Sequence, residues 1–244
     1  VLACFLGFVT AWPFFVVWQR TPAALYAMCL RWTHAWLRTC RFCCGFTTEV
    51  HGTPPPPGAF IAPNHQSYTD VFALGAAVPS FFVAKTEVAR WPLIGYLFRR
   101  SHQIGVRRAT SRSLRGTVEE ITERLDLGLS VAVFLEGTTT GGDGPLLPFR
   151  SPLLQAAIDS GAPIVPCAIR WRARDPRVVV AEDIAYWGGH VFGPHLFHFL
   201  GLTGLTCAIH FGDPIPPGDL DRKELADRIR DAVQALVDAA DGRA

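Results

Sequence analysis

Apolar and polar positions alternate along this chain in blocks of two kinds. Short, nearly continuous apolar runs at residues 58–62, 81–84, 103–106, 130–135, 164–170 and 206–211 read as buried strands. Two more strands are expected at residues 47–51 and 178–180. Between them lie stretches with helical spacing. Leu114, Val118, Ile121 and Leu125 line one face of a helix over 111–127, which Gly128 stops. Its Glu119, Glu120, Glu123 and Arg124 form the solvated face. A helix starts near Thr69 or Asp70 and runs through an apolar segment to residue 78, and a short apolar helix covers 87–98. Another has Ser151 as N-cap, Pro152 in its first turn and Gly161 after its end. Leu225, Ile229, Val233 and Leu236 mark a closing helix over 221–239. This pattern predicts an α/β fold, a mixed and largely parallel sheet flanked by helices.

The N-terminal region has a different pattern. Residues 1–18 are apolar except Thr10, and Gln19 and Arg20 close the run. At 1.5 Å per residue such a helix is about 27 Å long, and Pro13 kinks it. No positive cluster precedes it and no small-residue cleavage site follows, so a secretory signal is not expected. Residues 22–41 read as a second helix in which Trp32 and Trp36 accompany Arg31, Arg38 and Arg41, the mixture of an interfacial helix. The expectation is a two-helix membrane-binding element over 1–45. A stiff proline-rich link at 53–58 then leads into a main domain over 46–244.

Composition sharpens this picture. Apolar residues make up 49% of the 244 and charged ones 18%, which suggests apolar surface facing lipid or a partner. A net charge of +2 offers no case for nucleic-acid binding. Positive charge concentrates in Arg99, Arg100, Arg107, Arg108, Arg112 and Arg115 with no acid among them. Arg107 and Arg108 leave the end of a strand, as an anion site for phosphate or for the diphosphate of coenzyme A requires. The crowded Cys40, Cys43 and Cys44 lack a second Cys or His pair at zinc-finger spacing, so no metal is expected. Nothing demands disulfides, which points to a reducing, cytoplasmic face. The aromatic stretch with His190, His195 and His198 has no neighbouring acid or Cys and reads as an apolar loop touching lipid or an acyl channel.

The candidate chemistry lies in the turn after the 58–62 run. His65 sits between a strand and a helix, where open α/β sheets place their ligands, and Asp70 falls in the first helical turn. If the turn folds back, Asp70 accepts from one ring nitrogen of His65 and leaves the other as a base for a hydroxyl proton. With no assigned side-chain nucleophile, the substrate hydroxyl is the attacker. Glu136, Gly137 and Thr138 follow another strand; the glycine allows close backbone approach, and Thr138 and neighbouring N–H groups can donate to an anion.

Asn64-His65-x-x-x-x-Asp70 resembles the first motif of the glycerolipid acyltransferases, the family that includes the 1-acylglycerol-3-phosphate acyltransferases. Residues 104–108, 134–140 and 164–169 resemble its other motifs in the same order, and the likeness spans about residues 58 to 215. The resemblance implies transfer of a fatty acyl group from acyl-CoA or acyl-carrier protein to the hydroxyl of a lysolipid at a membrane, with no cofactor. His65 and Asp70 are the implied catalytic pair. Arg108, with Arg107 beside it, and Glu136, Gly137 and Thr138 are implied to bind the acceptor. The third motif departs from the family's Phe-Pro-Glu-Gly-Thr-Arg-Ser: Leu135 stands for Pro, Thr139 for Arg and Thr140 for Ser. The threonine variant resembles a branch that includes lyso-ornithine lipid acyltransferases. Lysophosphatidate is the expected acceptor and lyso-ornithine lipid the alternative. A hydrolase is disfavoured by the lack of a Gly-x-Ser-x-Gly elbow, and an inactive scaffold by the intact His65 and Asp70.

Overall fold

A computed structural model describes residues 21–90, 94–106, 111–218 and 220–243. Seven strands form one sheet: β1 (Phe46–His51), β2 (Phe60–Pro63), β3 (Phe81–Lys85), β4 (Ile104–Val106), β5 (Val131–Ala132), β6 (Ile164–Ala173) and β7 (Leu205–Phe211). Their order is β1-β7-β6-β2-β5-β3-β4, and every neighbouring pair is parallel except β6 with β7. The sheet is mixed and largely parallel, as the pattern predicts.

Alternate side chains of each strand enter opposite cores. Phe60 and Ala62 pack into one with Ile121, Leu125, Ile229 and Val233. These come from α4 (Ser111–Asp126) and α7 (Arg222–Ala240), with α5 (Gln155–Ser160) beside them. Ala59 and Ile61 pack into the other with Leu74 of α2 (Thr69–Ala77) and Phe199 of α6 (Phe192–Gly201). The short α3 (Ile94–Arg100) precedes β4.

Preceding the sheet, α1 (Pro22–Cys43) is capped by the Thr21 side chain, which accepts from Ala24 N–H. It buries Cys29, Leu30, Thr33, Leu37 and Cys40 against the domain. His34 Nδ1 donates to the Gly75 carbonyl of α2 at 2.8 Å. Among the described residues, no helix is long and apolar enough to cross a membrane. The apolar run 1–18 lies outside them.

Several sequence expectations change. Residues 178–180 form no strand: a π-helical turn spans Val180–Ile184, and Asp183 caps it by accepting from Val179 N–H at 2.7 Å. Of the aromatic stretch expected as a loop, residues 187–191 with His190 are turn and loop, while the part through His198 belongs to α6, which buries Phe199 and His195. The segment expected as one helix over 87–98 is divided into a 3-10 turn (Thr86–Arg90) and α3. Ser151 is not an N-cap; it opens a 3-10 turn whose cap position is Arg150, while Gly161 ends α5 in the left-handed conformation as expected. Arg124 is not on a solvated face. It is 4% exposed and lies 3.2 Å from the Tyr26 ring centroid, where a planar guanidinium can stack on the aromatic face.

Gly75 is where α1 approaches α2 most tightly. A Cβ there meets the end of Leu37 and, at 3.0 Å, the Phe82 ring. Gly75→Ala is therefore expected to lower stability by about 1–3 kcal/mol through overpacking. Combined with Leu37→Ala it should cost less than the sum of the two single changes in denaturant unfolding, because the truncation vacates the space the new methyl enters.

Candidate active site

The chain leaves β2 at Pro63, but the β2–β6 ladder continues for one more residue through a side chain. Asn64 N–H donates to Cys167 O at 3.3 Å. Its side-chain Oδ1 accepts from Ile169 N–H at 2.6 Å, and its Nδ2 donates to Ile169 O at 3.2 Å. The amide thus stands in for a strand residue, and the main chain is released to turn. The sequence shows Asn64 in a motif but not this role.

That turn is wound about Asp70, which is fully buried at the start of α2. Its Oδ2 accepts from Gln66 N–H at 2.7 Å, from Ser67 N–H at 2.8 Å and from His65 Nδ1 at 2.9 Å. Its Oδ1 accepts from Trp171 Nε1 at 2.8 Å. Since a carboxylate only accepts, Nδ1 of His65 carries the proton and Nε2 holds the lone pair. The His65 ring is 18% exposed, stacks on Phe134 with centroids 3.8 Å apart and lines a cavity. Ser67 is fully buried, and its Oγ accepts from Thr69 N–H at 3.4 Å. That hydroxyl belongs to the turn and does not reach the cavity.

Glu136 is 2% exposed and stands behind the cavity wall. One carboxylate oxygen accepts from His65 N–H at 2.8 Å and the other from Leu147 N–H at 3.2 Å. Burial pushes this carboxyl above its ordinary range, and the two main-chain donors oppose the shift. Gly137 takes a φ of 69°, which glycine adopts without strain, and its N–H closes a turn on the Phe134 carbonyl at 3.0 Å. Thr140 N–H donates to His65 O at 3.1 Å, a second tie between the two motifs. Gly137, Thr138 and Thr139 line the cavity beside His65.

The cavity has a volume of about 500 Å³ and mostly apolar walls. Thr33, Trp36 and Leu37 bring α1 into it, Phe72 comes from α2, and Phe192 from α6. Lys85 and Arg150 also line it, and no aspartate or glutamate does among the described residues. Neither cation was singled out in the sequence, because only the fold brings the end of β3 and the 3-10 cap to the same cavity.

Arg107 and Arg108 lie outside the described residues, as does the Arg112 side chain. The described arginines of that cluster serve their own elements. Arg99 donates to the Ala89 carbonyl, Arg100 lies 5.5 Å from the Tyr96 ring centroid, and Arg115 pairs with Glu119 at 3.1 Å. The histidines of α6 and its approach also differ from expectation, since an acid is close: His198 Nε2 lies 2.8 Å from Asp183 Oδ1. His195 Nε2 donates to Ala185 O at 3.1 Å, so its Nδ1 accepts the Tyr68 hydroxyl at 3.0 Å. This fixes Tyr68 on the cavity wall.

A protein-family model described as Acyltransferase matches residues 47–170. The chain is 31% identical over 183 residues to a 1-acyl-sn-glycerol-3-phosphate acyltransferase of Neisseria gonorrhoeae, covering 75% of this chain and 70% of that protein. It is 33% identical over 217 residues to a lyso-ornithine lipid O-acyltransferase of Pseudomonas aeruginosa, covering 88% and 82% respectively. The crystal structure of the 1-acyl-sn-glycerophosphate acyltransferase from Thermotoga maritima superposes with a TM-score of 0.65 at 20% identity, over 100% of this chain and 97% of that one, and shows the same fold.

Glu136 provides a pH test of this architecture. Its carboxyl is raised in the folded protein, so its contribution to stability is fully present below the unfolded value and is lost as pH rises through the folded one. Glu136→Gln should flatten that slope in unfolding measurements across pH. Because glutamine keeps one acceptor oxygen for two N–H groups, it should also cost about 1–3 kcal/mol at low pH and slow turnover by loosening His65.

Proposed function

This chain belongs to the acyltransferase family, within the group that acts on 1-acylglycerol-3-phosphate and other lysolipids, and from that premise we propose a mechanism and an acceptor. The single observation that carries the mechanism is the 2.9 Å contact of His65 Nδ1 with buried Asp70, which leaves Nε2 as the base on the cavity wall. The acceptor's hydroxyl gives its proton to Nε2 as its oxygen attacks the thioester carbonyl of acyl-CoA or acyl-carrier protein. Asp70 holds the imidazole and stabilises it while it is charged, and the Phe134 ring face meets the cation that forms. When the tetrahedral intermediate collapses, the thiolate leaves and takes the proton back from His65. The acyl group passes directly between substrates, in keeping with Ser67 being buried in the turn.

His65→Ala should abolish transfer in purified protein supplied with acyl-CoA and a lysolipid. Asp70→Asn should lower kcat by roughly 10²–10⁴-fold by letting the ring turn and unbalancing its proton. Near-normal turnover by His65→Ala would sink the mechanism.

For the acceptor, lysophosphatidate is the first choice. The described cavity wall carries Lys85 and Arg150 and no carboxylate, so it suits an anionic head group, whereas a head group bearing an amine finds no acidic partner there. Arg150 offers the planar fork that Thr139 lacks, and Arg108 belongs to the same reading through the family motif. Lyso-ornithine lipid is the second reading, favoured by Thr139 and by the Pseudomonas relative. The N-terminal helices attach the protein to a membrane by apolar burial, given the small net charge, with the site facing the cytoplasm.

The acceptors can be compared directly. Arg150→Ala should lower kcat/KM for lysophosphatidate by roughly 10–100-fold, and lysine should rescue it only in part because a point charge lacks the fork. If Arg150→Ala and Arg108→Ala both spare activity on lysophosphatidate, or lyso-ornithine lipid is clearly the better substrate, the phosphate reading is wrong and Thr139 is the informative residue.

A further inference from the structure

We infer that Trp171 is a positioning residue for the catalytic pair, acting through Asp70. The inference rests on the proposed role of His65 and Asp70. Trp171 is the eighth residue of β6, on the part of that strand that runs on past the end of β2, whose last pair is Pro63 with Cys167. Alternation puts Cys167, Ile169 and Trp171 on the same face, toward α2 and α6. The indole is 4% exposed and is held edge-on by two rings. Phe46 lies 5.1 Å away at 66° and Phe199 5.9 Å away at 90°, centroid to centroid. So fixed, Nε1 donates to Asp70 Oδ1 at 2.8 Å.

The two oxygens of Asp70 therefore have different duties. Oδ2 is occupied by the turn and by His65, all within five residues of the chain. Oδ1 is held from the sheet, by a donor 101 residues away in the chain. Without that bond Oδ1 is left as a buried oxygen with no donor, and the plane of the carboxylate is set by the turn alone. A tryptophan N–H donates only, so it cannot trade roles with the carboxylate as a hydroxyl or water can. The other titratable groups facing Asp70 do not supply this tie. Glu136 is occupied by two main-chain N–H groups, and Cys167 and Cys207 are kept as neutral thiols by burial first and by the Asp70 charge second.

The test removes the donor and keeps the shape. Trp171→Phe is the simple variant; replacement of Trp171 by 3-benzothienylalanine preserves the bicyclic ring and exchanges N–H for sulfur, so lost packing is separated from the lost bond, and the melting temperature measured alongside shows that the assayed protein is folded. In both, kcat should fall roughly 10–100-fold while KM for donor and acceptor stays within about twofold, since the lost bond is to a charged group that touches neither substrate. The acidic limb of the kcat/KM profile should move to higher pH, because a carboxylate stripped of a donor holds the proton of the pair more tightly. In an Asp70→Asn background, Trp171→Phe should change kcat little, the coupling expected of residues acting as one unit. A benzothienyl variant with wild-type kcat and an unmoved acidic limb would overturn the inference, as would full additivity with Asp70→Asn. His65→Ala serves as the control that separates the two claims. Should it lose activity while the benzothienyl variant keeps it, only the role of Trp171 fails; should it stay active, the general-base reading fails first.

Discussion

A carboxylate with no solvent exposure must be satisfied by the protein that buries it, and the site is built around that demand. Asp70 is fully buried and accepts four hydrogen bonds, three from its own turn and one from β6. Removing donors from a buried charge costs several kcal/mol, a large part of the roughly 5–15 kcal/mol that holds a typical domain together. The contacts that satisfy Asp70 in the fold therefore also orient His65. Its place in the first turn of α2 adds the favourable end of that helix's dipole. Catalytic geometry and stability are thus coupled in the same four contacts.

The remaining site follows from which strands end where. All strands from β2 to β6 run in one direction, so the turns after β2 and β5 emerge at the same end of the sheet. Two devices lock those turns together. Asn64 extends the β2–β6 ladder with its side chain, and Glu136 accepts from the His65 main chain while Thr140 donates to it. The base is held from behind by main-chain bonds and from the side by the Phe134 ring, with one face left toward the cavity. Packed on α2, α1 contributes Thr33, Trp36 and Leu37 to the cavity, so the segment expected to meet the membrane also forms part of its lining.

What the sequence made legible was local. Strands β2, β3, β6 and β7 are visible because their burial is nearly continuous, and α4 because Ile121 and Leu125 recur at helical spacing. The pairing of His65 with Asp70 is visible because five residues of a turn suffice to make it. Long-range choices were not. Trp171 looks like any core tryptophan of a strand, and nothing near it in sequence shows that its N–H is bonded to Asp70. Arg124 has the helical position of a solvated residue, and its burial against the rings of Tyr26 and Phe81 is a tertiary matter. The aromatic run before Phe199 lacks a capping residue, so its helix α6 is stabilised by what Phe199 and His195 bury. Arg150 and Lys85 carry no motif, and the cavity they both line is a property of the assembled fold.

Transfer to a lipid hydroxyl in place of water follows from the environment of the base as much as from its strength. Water has the same proton to give and is far more abundant than any lysolipid. The acceptor prevails only if the site favours a hydroxyl that arrives on an apolar body. A cavity of about 500 Å³ with mostly apolar walls does this, since filling it with hydrocarbon releases water from those walls while filling it with water satisfies few groups. In the proposed mechanism, polar lining groups such as Thr138, Thr139, Arg150 and Lys85 would act on the head group and determine which hydroxyl is brought to His65. On this view the apolar walls select lipid over water, and the cations select among lipids. The two kinds of selectivity would then be separable, because the proposal assigns them to different residues: Trp36, Leu37 and Phe72 to the first, Arg150 and Lys85 to the second.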